Sequence, residues 1–166
     1  MVGKDVLAPA PYTHYTRGRS HRIDTVIIHA TGGTNSLGWL QGGSYPPVSC
    51  HCLITRDGTR YRMVNDGDTA WHAGFGQLSM AGLAGININS RALGLEIENL
   101  NDGSQAYTEI QIESVAYALA SWHVTHGYLR WYRHSDVDAR KSDPRSLDLA
   151  SLYRRAARHM VRMLGG

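Results

Sequence analysis

Strands and helices mixed along this chain predict an α/β or α+β protein built on a small mixed sheet. Three observations carry that expectation. Residues 23–29 are a short apolar run rich in β-branched side chains, closing on Thr25-Val26-Ile27-Ile28-His29, the pattern of a buried strand. Residues 92–98 alternate, placing Leu93, Leu95 and Ile97 on one face and Gly94, Glu96 and Glu98 on the other. Residues 108–127 have helical spacing and both end signals of a helix.

A chain of 166 residues is long enough to bury one proper core, so a single domain is expected. Residues 1–21, with Pro9, Pro11 and several tyrosines, read as an N-terminal arm packed loosely on a domain spanning 22–166. After the first strand, residues 31–48 are rich in Gly, Ser and Pro, with Leu37, Trp39 and Leu40 the only helical hint. Long loops in compact domains are usually functional. Residues 49–55 and 59–64 read as a hairpin, and Asp57-Gly58 between them predicts a type I′ turn. Residues 65–90 read as irregular and contain Ala70-Trp71-His72-Ala73-Gly74.

The helix beginning near Thr108 opens on the capping box Thr108-Glu109-Ile110-Gln111. Ile112, Val115, Ala116, Leu119 and Trp122 form its apolar stripe, and Gly127 is its stop. A second helix is expected over residues 147–164, with Leu149, Leu152, Ala156, Met160 and Leu164 inward and Arg154, Arg155 and Arg158 outward.

Composition excludes several classes. A hydrophobic fraction of 42% with 19% charged residues is that of a globular protein, neither disordered nor membrane-spanning. No apolar run approaches the roughly 20 residues of a transmembrane helix, so no integral membrane segment is expected. The N-terminus has no long apolar stretch, so no secretory signal is expected and synthesis is placed in a cytoplasm. A formal charge of +3 suits an anionic partner such as a bacterial cell wall or nucleic acid, and is too mild to choose between them. Cys50 and Cys52 alternate along an expected strand, where residues two apart share a face but bridge poorly, so both read as free thiols. No second Cys or His pair follows Cys50-His51-Cys52 at zinc-finger spacing.

The chemistry gathers around Arg133-His134-Ser135-Asp136-Val137-Asp138-Ala139-Arg140-Lys141-Ser142-Asp143-Pro144. His134 and Asp143 are too far apart for one helical face and close enough for a loop to fold back on itself. Imidazole and carboxylate are both good zinc ligands, and a catalytic zinc takes three protein ligands and keeps an open position. The third donor expected is His29, held on a rigid strand end before the flexible Ala30-Thr31-Gly32-Gly33. Glu96, opposite the apolar face of its strand, suits a general base. Lys141, two residues before Asp143 and on its face if the segment is extended, suits a donor to a developing oxyanion. Singly, Glu96 and Lys141 read as ordinary surface charges. Together with His29, His134 and Asp143 they compose a site for metal-assisted amide hydrolysis.

The order and wording of these segments resemble a known family. Val26-Ile27-Ile28-His29-Ala30-Thr31, then Ser49-Cys50-His51-Cys52-Leu53-Ile54 with Arg56-Asp57-Gly58, is similar to the opening of zinc-dependent N-acetylmuramoyl-L-alanine amidases. That type includes phage lysozyme-like amidases, muropeptide-recycling amidases and peptidoglycan recognition proteins. Ala70-Trp71-His72-Ala73-Gly74, Asn89 with Leu93-Gly94-Leu95-Glu96-Ile97-Glu98, and the 134–144 loop resemble further elements of the same family, in the same order. The resemblance covers roughly residues 22–150.

It implies an α/β fold in which a central mixed β-sheet is flanked by helices and a zinc site lies in a surface groove. It implies His29, His134 and Asp143 as zinc ligands, Glu96 as catalytic base and Lys141 as transition-state stabiliser. His72 and Asn89 would line the substrate groove. The implied cofactor is Zn2+ and the implied partner is bacterial peptidoglycan, with no nucleic acid and a monomeric chain. The implied setting is cell-wall lysis by a phage endolysin released through a holin-type pore. The alternatives are a cytosolic recycling amidase and a non-catalytic peptidoglycan-binding module. Where many relatives carry an aromatic residue near Cys50 or Cys52, this chain has thiols, which puts more weight on Glu96. Arg133 and Arg145 stand where the family often has Gly.

Overall fold

Among residues 2–76 and 85–165, which the computed structural model describes, eight strands and four α-helices form. In chain order they are β1 (Asp5–Leu7), β2 (Tyr15–Thr16), β3 (Thr25–Ala30), α1 (Ser36–Gly38), β4 (Cys52–Ile54), β5 (Arg60–Arg62), β6 (Thr69–Ala70), β7 (Ala92–Ile97), α2 (Glu109–His126), β8 (Arg130–Arg133), α3 (His134–Val137) and α4 (Leu149–Leu164). Six strands make one sheet in the order β1-β5-β4-β7-β3-β8. It is mixed, because β4 and β5 pair antiparallel while every other neighbouring pair is parallel. β2 and β6 form a separate antiparallel pair.

The alternation read in residues 92–98 sorts the two faces of this sheet. Val26 and Ile28 of β3 and Leu93, Leu95 and Ile97 of β7 are buried in one cluster with Val115, Leu119 and Trp122 of α2 and Leu152 and Ala156 of α4. Burying such side chains contributes about 1.5–3 kcal/mol each, so the helical layer belongs on this face. The opposite face is covered by loops and short helical turns, α3 among them. There Ile27 packs with Ile88, Ala92 and Val137, and Leu53 packs with Leu40, Cys50 and Met63. The sheet flanked by helices is therefore the α/β arrangement expected.

The helix ends follow their local signals. Thr108 Oγ1 accepts from Gln111 N at 3.2 Å, and Gln111 Oε1 accepts from Thr108 N at 3.4 Å. Gln111 is fully buried and also donates through Nε2 to the carbonyls of Ile54 (3.3 Å) and Glu98 (2.9 Å), tying the start of α2 to the ends of β4 and β7. Gly127 closes α2 at φ +81°, a conformation that costs glycine little. Asp148 caps α4 by accepting from Ser151 N at 3.0 Å.

Several expectations need correction. Residues 1–21 are not a loose arm: β1 adds an edge strand to the main sheet, anchored by the two-pronged Asp5–Arg60 ion pair with both contacts at 2.9 Å. Three residues with an acid among them carry no strand signal of their own. The hairpin turn is not type I′. Only Gly58 of its three loop residues has positive φ, and Gly58 N donates to Thr55 O at 2.8 Å while Thr55 N donates to Thr59 O at 3.1 Å. This is the geometry of a three-residue loop ending in a left-handed glycine. Asp57 Oδ1 stabilises it by accepting from Thr59 N at 3.0 Å.

Cys50 and Cys52 are both free and buried, but they do not share a face. The strand begins only at Cys52, and a bend at His51 sends Cys50 into the loop-side cluster while Cys52 joins the helix-side one. On α4, Arg155 turns back to pair with Glu109 and Glu113 of α2, and Leu164 at the free end is 72% exposed. Residues 77–84, in the middle of the stretch expected to be irregular, lie outside the described residues.

Candidate metal centre

Parallel strands that end together leave a crevice at their carboxyl ends, the usual place for a ligand in an open α/β sheet. Here β3, β7 and β8 end side by side. His29 is the fifth residue of β3 and, two residues after Ile27, shares its loop-covered face. It pairs in register with Glu96 of β7, so the two side chains leave the sheet on the same side. Arg133 is in register with Ile28, which brings the next residue, His134, alongside His29. His134 opens the single turn α3, and Ser135 N donates to Asp143 O at 3.0 Å, folding the loop back.

Three donor atoms converge. His29 Nδ1 and His134 Nδ1 are 3.0 Å apart. Asp143 Oδ2 lies 3.2 Å from His134 Nδ1 and 3.4 Å from His29 Nδ1. Ligands at about 2.0–2.1 Å in a tetrahedral zinc site stand roughly 3.3 Å from one another, so the triangle has the edge lengths of such a site. Two imidazole nitrogens facing each other and one carboxylate oxygen are not mutually satisfied without protons or a cation between them. The donor set therefore fits a divalent metal, and among the described residues this is the group of His, Cys, Asp and Glu that could hold one.

The electrostatics keep the donors ready. Burial pushes His29 down to about 4, reinforced by His134 and opposed by Asp143, so its ring is neutral at neutral pH. Burial alone would raise Asp143, but hydrogen bonds from His134 and His29 outweigh it and hold the carboxyl well below its usual range. Glu96 is raised to about 8, first by burial and then by the charge of Asp143, with Lys141 opposing. Its Oε2 is buried without a hydrogen-bond partner among the described residues. Buried polar atoms are normally paired, so an orphaned carboxylate oxygen beside the triangle suits a site that receives further polar groups.

Lys141 is exposed, and its charge acts on both His29 and Glu96. The segment that carries it is not extended. Residues 139–140 form a turn, with Lys141 N donating to Asp138 O at 3.0 Å.

His72 and Asn89, expected along the groove, stand on the other side of the His29 ring. His72 Nδ1 is 3.0 Å from His29 Nε2. Asn89 is 8% exposed, and its Oδ1 accepts from the backbone N–H groups of His72, Ala73 and Gly74 at 3.2, 2.8 and 3.2 Å.

Other residues shape the site without having been singled out in the sequence. Glu98 accepts from Ser36 N and Arg56 N, both at 3.3 Å, fixing the loops after β3 and β4. His51 accepts from Gly94 N at 2.8 Å. Arg19 crosses from the N-terminal segment to donate to the carbonyls of Asn89 and Ala92, both at 3.1 Å. A single arginine so distant in sequence gives no signal of that role.

Comparison with known proteins adds three findings. A family model described as N-acetylmuramoyl-L-alanine amidase matches residues 19–146. The chain is 38% identical over 68 residues to the 1,6-anhydro-N-acetylmuramyl-L-alanine amidase AmpD of Haemophilus influenzae. That match covers 41% of this chain and only 34% of the relative's length. Among solved structures, a selenomethionine derivative of AmpD superposes with a TM-score of 0.71 at 24% identity, covering 92% of this chain and 93% of that one. The amidase AmiD of E. coli, solved with anhydro-N-acetylmuramic acid-L-Ala-D-gamma-Glu-L-Lys, gives 0.67 at 19% identity over 89% and 65% of the two chains. The amidase LysC of Clostridium intestinale gives 0.66 at 19% identity over 92% and 97%. At these identities the structural likeness is one of fold.

Proposed function

The chain belongs to the Amidase_2 family of N-acetylmuramoyl-L-alanine amidases, and on that premise we propose that it is a zinc-dependent peptidoglycan amidase. It cleaves the amide between the lactyl group of N-acetylmuramic acid and L-alanine. The observation that carries this reading is the triangle of His29 Nδ1, His134 Nδ1 and Asp143 Oδ2 with Glu96 beside His29 in register. A receptor that only binds peptidoglycan has no need of a complete ligand set and an adjacent orphaned carboxylate.

In this mechanism His29, His134 and Asp143 hold the zinc. Zinc bound there supplies Lewis acidity toward the scissile carbonyl and toward the attacking water. Glu96 takes a proton from that water and returns it to the leaving nitrogen of L-alanine, so base and acid are one carboxyl in two protonation states. A carboxyl raised toward neutral pH by its buried setting is suited to both halves of that exchange. Lys141, on the solvent side, donates to the oxygen on which negative charge develops.

We take the bacterial wall as the substrate, in the manner of an endolysin, because a formal charge of +3 favours association with a polyanionic surface. Among the described residues no helix is long and apolar enough to cross a membrane. Mass spectrometry of purified sacculi digested with and without a chelator tests the reading. Release of stem peptides with a free L-alanine amino terminus, abolished by chelation, is expected. Digestion of soluble 1,6-anhydro-muropeptides in parallel separates wall hydrolysis from recycling, and binding to sacculi without bond cleavage would replace the enzyme reading with a binding module.

A further inference from the structure

A histidine that binds a metal through one ring nitrogen carries its proton on the other, and whatever accepts that proton sets the ring's tautomer and orientation. His29 turns Nδ1 toward His134 and Asp143, so with a metal held by that atom its proton falls on Nε2, and the partner of Nε2 is His72 Nδ1 at 3.0 Å. A neutral imidazole fills here the place usually taken by a carboxylate or a backbone carbonyl. We infer that His72 is a positioning residue that fixes His29 as a metal ligand by accepting its Nε2 proton, and that Asn89 and Gly94 hold His72 in place. The inference rests on the zinc reading above.

Two features show that the position of His72 is built. Asn89 gathers three consecutive N–H groups, those of His72, Ala73 and Gly74, onto one oxygen, which fixes the backbone from which the His72 ring projects. The ring then lies directly over Gly94 of β7. A Cβ at that position would come within 2.5 Å of His72 Cγ and 2.6 Å of Cδ2, distances no non-bonded carbon pair sustains. Gly94 has no left-handed backbone to explain it. Its missing side chain is the room the imidazole occupies.

The test is zinc affinity, measured on metal-free protein by competition with a chromophoric chelator. Circular dichroism and the melting temperature of each metal-free variant control for folding. His72→Ala should weaken zinc by roughly 10- to 100-fold, the usual cost of losing such a partner. His72→Asn should recover most of the affinity, because Asn Oδ1 branches from Cγ as Nδ1 does and accepts the same proton. Gly94→Ala keeps every ligand residue and His72 in the sequence but displaces the His72 ring, and should weaken zinc by a comparable factor. An unchanged zinc affinity in folded His72→Ala, with only KM for peptidoglycan raised, would overturn the inference and make His72 a wall of the substrate groove. Equal losses in His72→Ala and His72→Asn would overturn it as well, since proton acceptance would then be irrelevant. Failure of the unsubstituted chain to bind zinc would instead remove the functional reading beneath it.

Discussion

Replacing Glu96 by glutamine removes the proposed base while keeping the shape of the side chain. Glu96 stands between Leu53 and His29 in the register of adjacent strands, and neighbouring strands are about 4.8 Å apart. Its carboxyl is thus beside the triangle without belonging to it. General acid–base assistance is typically worth about 10²–10⁴-fold, so kcat of Glu96→Gln should fall by that factor while zinc content stays at the level of the unsubstituted protein. The base acts deprotonated, so kcat/KM should rise with pH through the Glu96 pKa and then level off. Without metal that pKa is about 8. A bound cation stabilises the carboxylate, so the acidic limb of the zinc-loaded enzyme should lie below this value. Lys141 lowers the same pKa, so Lys141→Met should move the limb upward as well as slowing turnover.

The assay is release of stem peptide from a soluble muropeptide across pH 5–9, with zinc quantified in each variant. Glu98→Gln is the control. Its carboxylate shares the face but sits about 7 Å further along and accepts the N–H groups of Ser36 and Arg56, so this change should cost stability of about 1 kcal/mol and little kcat. Turnover in Glu96→Gln within tenfold of the parent, at full zinc occupancy, would refute the assignment of a base on β7.

Three further outcomes are expected. One zinc ion should bind per chain, chelation should abolish hydrolysis, and Asp143→Ala should weaken zinc at least about tenfold by removing the anionic ligand; elemental analysis with chelator titration reads all three, and full occupancy in Asp143→Ala would strike it from the ligand set. The Cys50→Ala/Cys52→Ala pair should keep most of its turnover, since both thiols are buried in apolar clusters, with a lower melting temperature from lost packing; near-complete inactivity in a folded, zinc-loaded pair would make Cys50 part of the site. In the metal-free protein the melting temperature should fall as pH drops below 6.5, because burial, seconded by Arg19, lowers His51 from 6.5 to about 3. Over that window the unfolded chain takes up a proton that the native chain refuses, so stability decreases toward acid; a flat profile between pH 6.5 and 5 would contradict this.

Signals confined to one element were legible in the sequence. The alternation of Leu93, Leu95 and Ile97 sorted the faces of β7, and the Thr108–Gln111 capping box marked where α2 begins. His29 could be picked out because it ends a β-branched run, and a ligand on a strand end is anchored by the sheet itself. What stayed hidden depends on partners far away in the chain. β1 is a strand because it pairs with β5, where Arg60 holds Asp5 across 55 residues, and Arg19 reaches Ala92 across 73. Cys50 left the face of Cys52 because His51 bends, its N–H and carbonyl committed to Gly94 and Met63.

His72 and Asn89 show a subtler gap between recognising residues and knowing their work. Resemblance to a family places them near substrate, because resemblance reports which residues recur and not which atoms they touch. The atoms add a second reading to that expectation. An asparagine whose Oδ1 is shared by three backbone N–H groups has no further use for that oxygen in binding a ligand. A histidine whose Nδ1 meets the Nε2 of His29 is already committed through that atom. Gly94 completes the reasoning, since a strand residue is best filled by a side chain that packs and a glycine there weakens β7 unless something needs the space. The ring of His72 is what needs it. The three residues therefore form one mechanical unit behind His29, and disturbing any of them should be read first in the metal and only afterwards in the substrate.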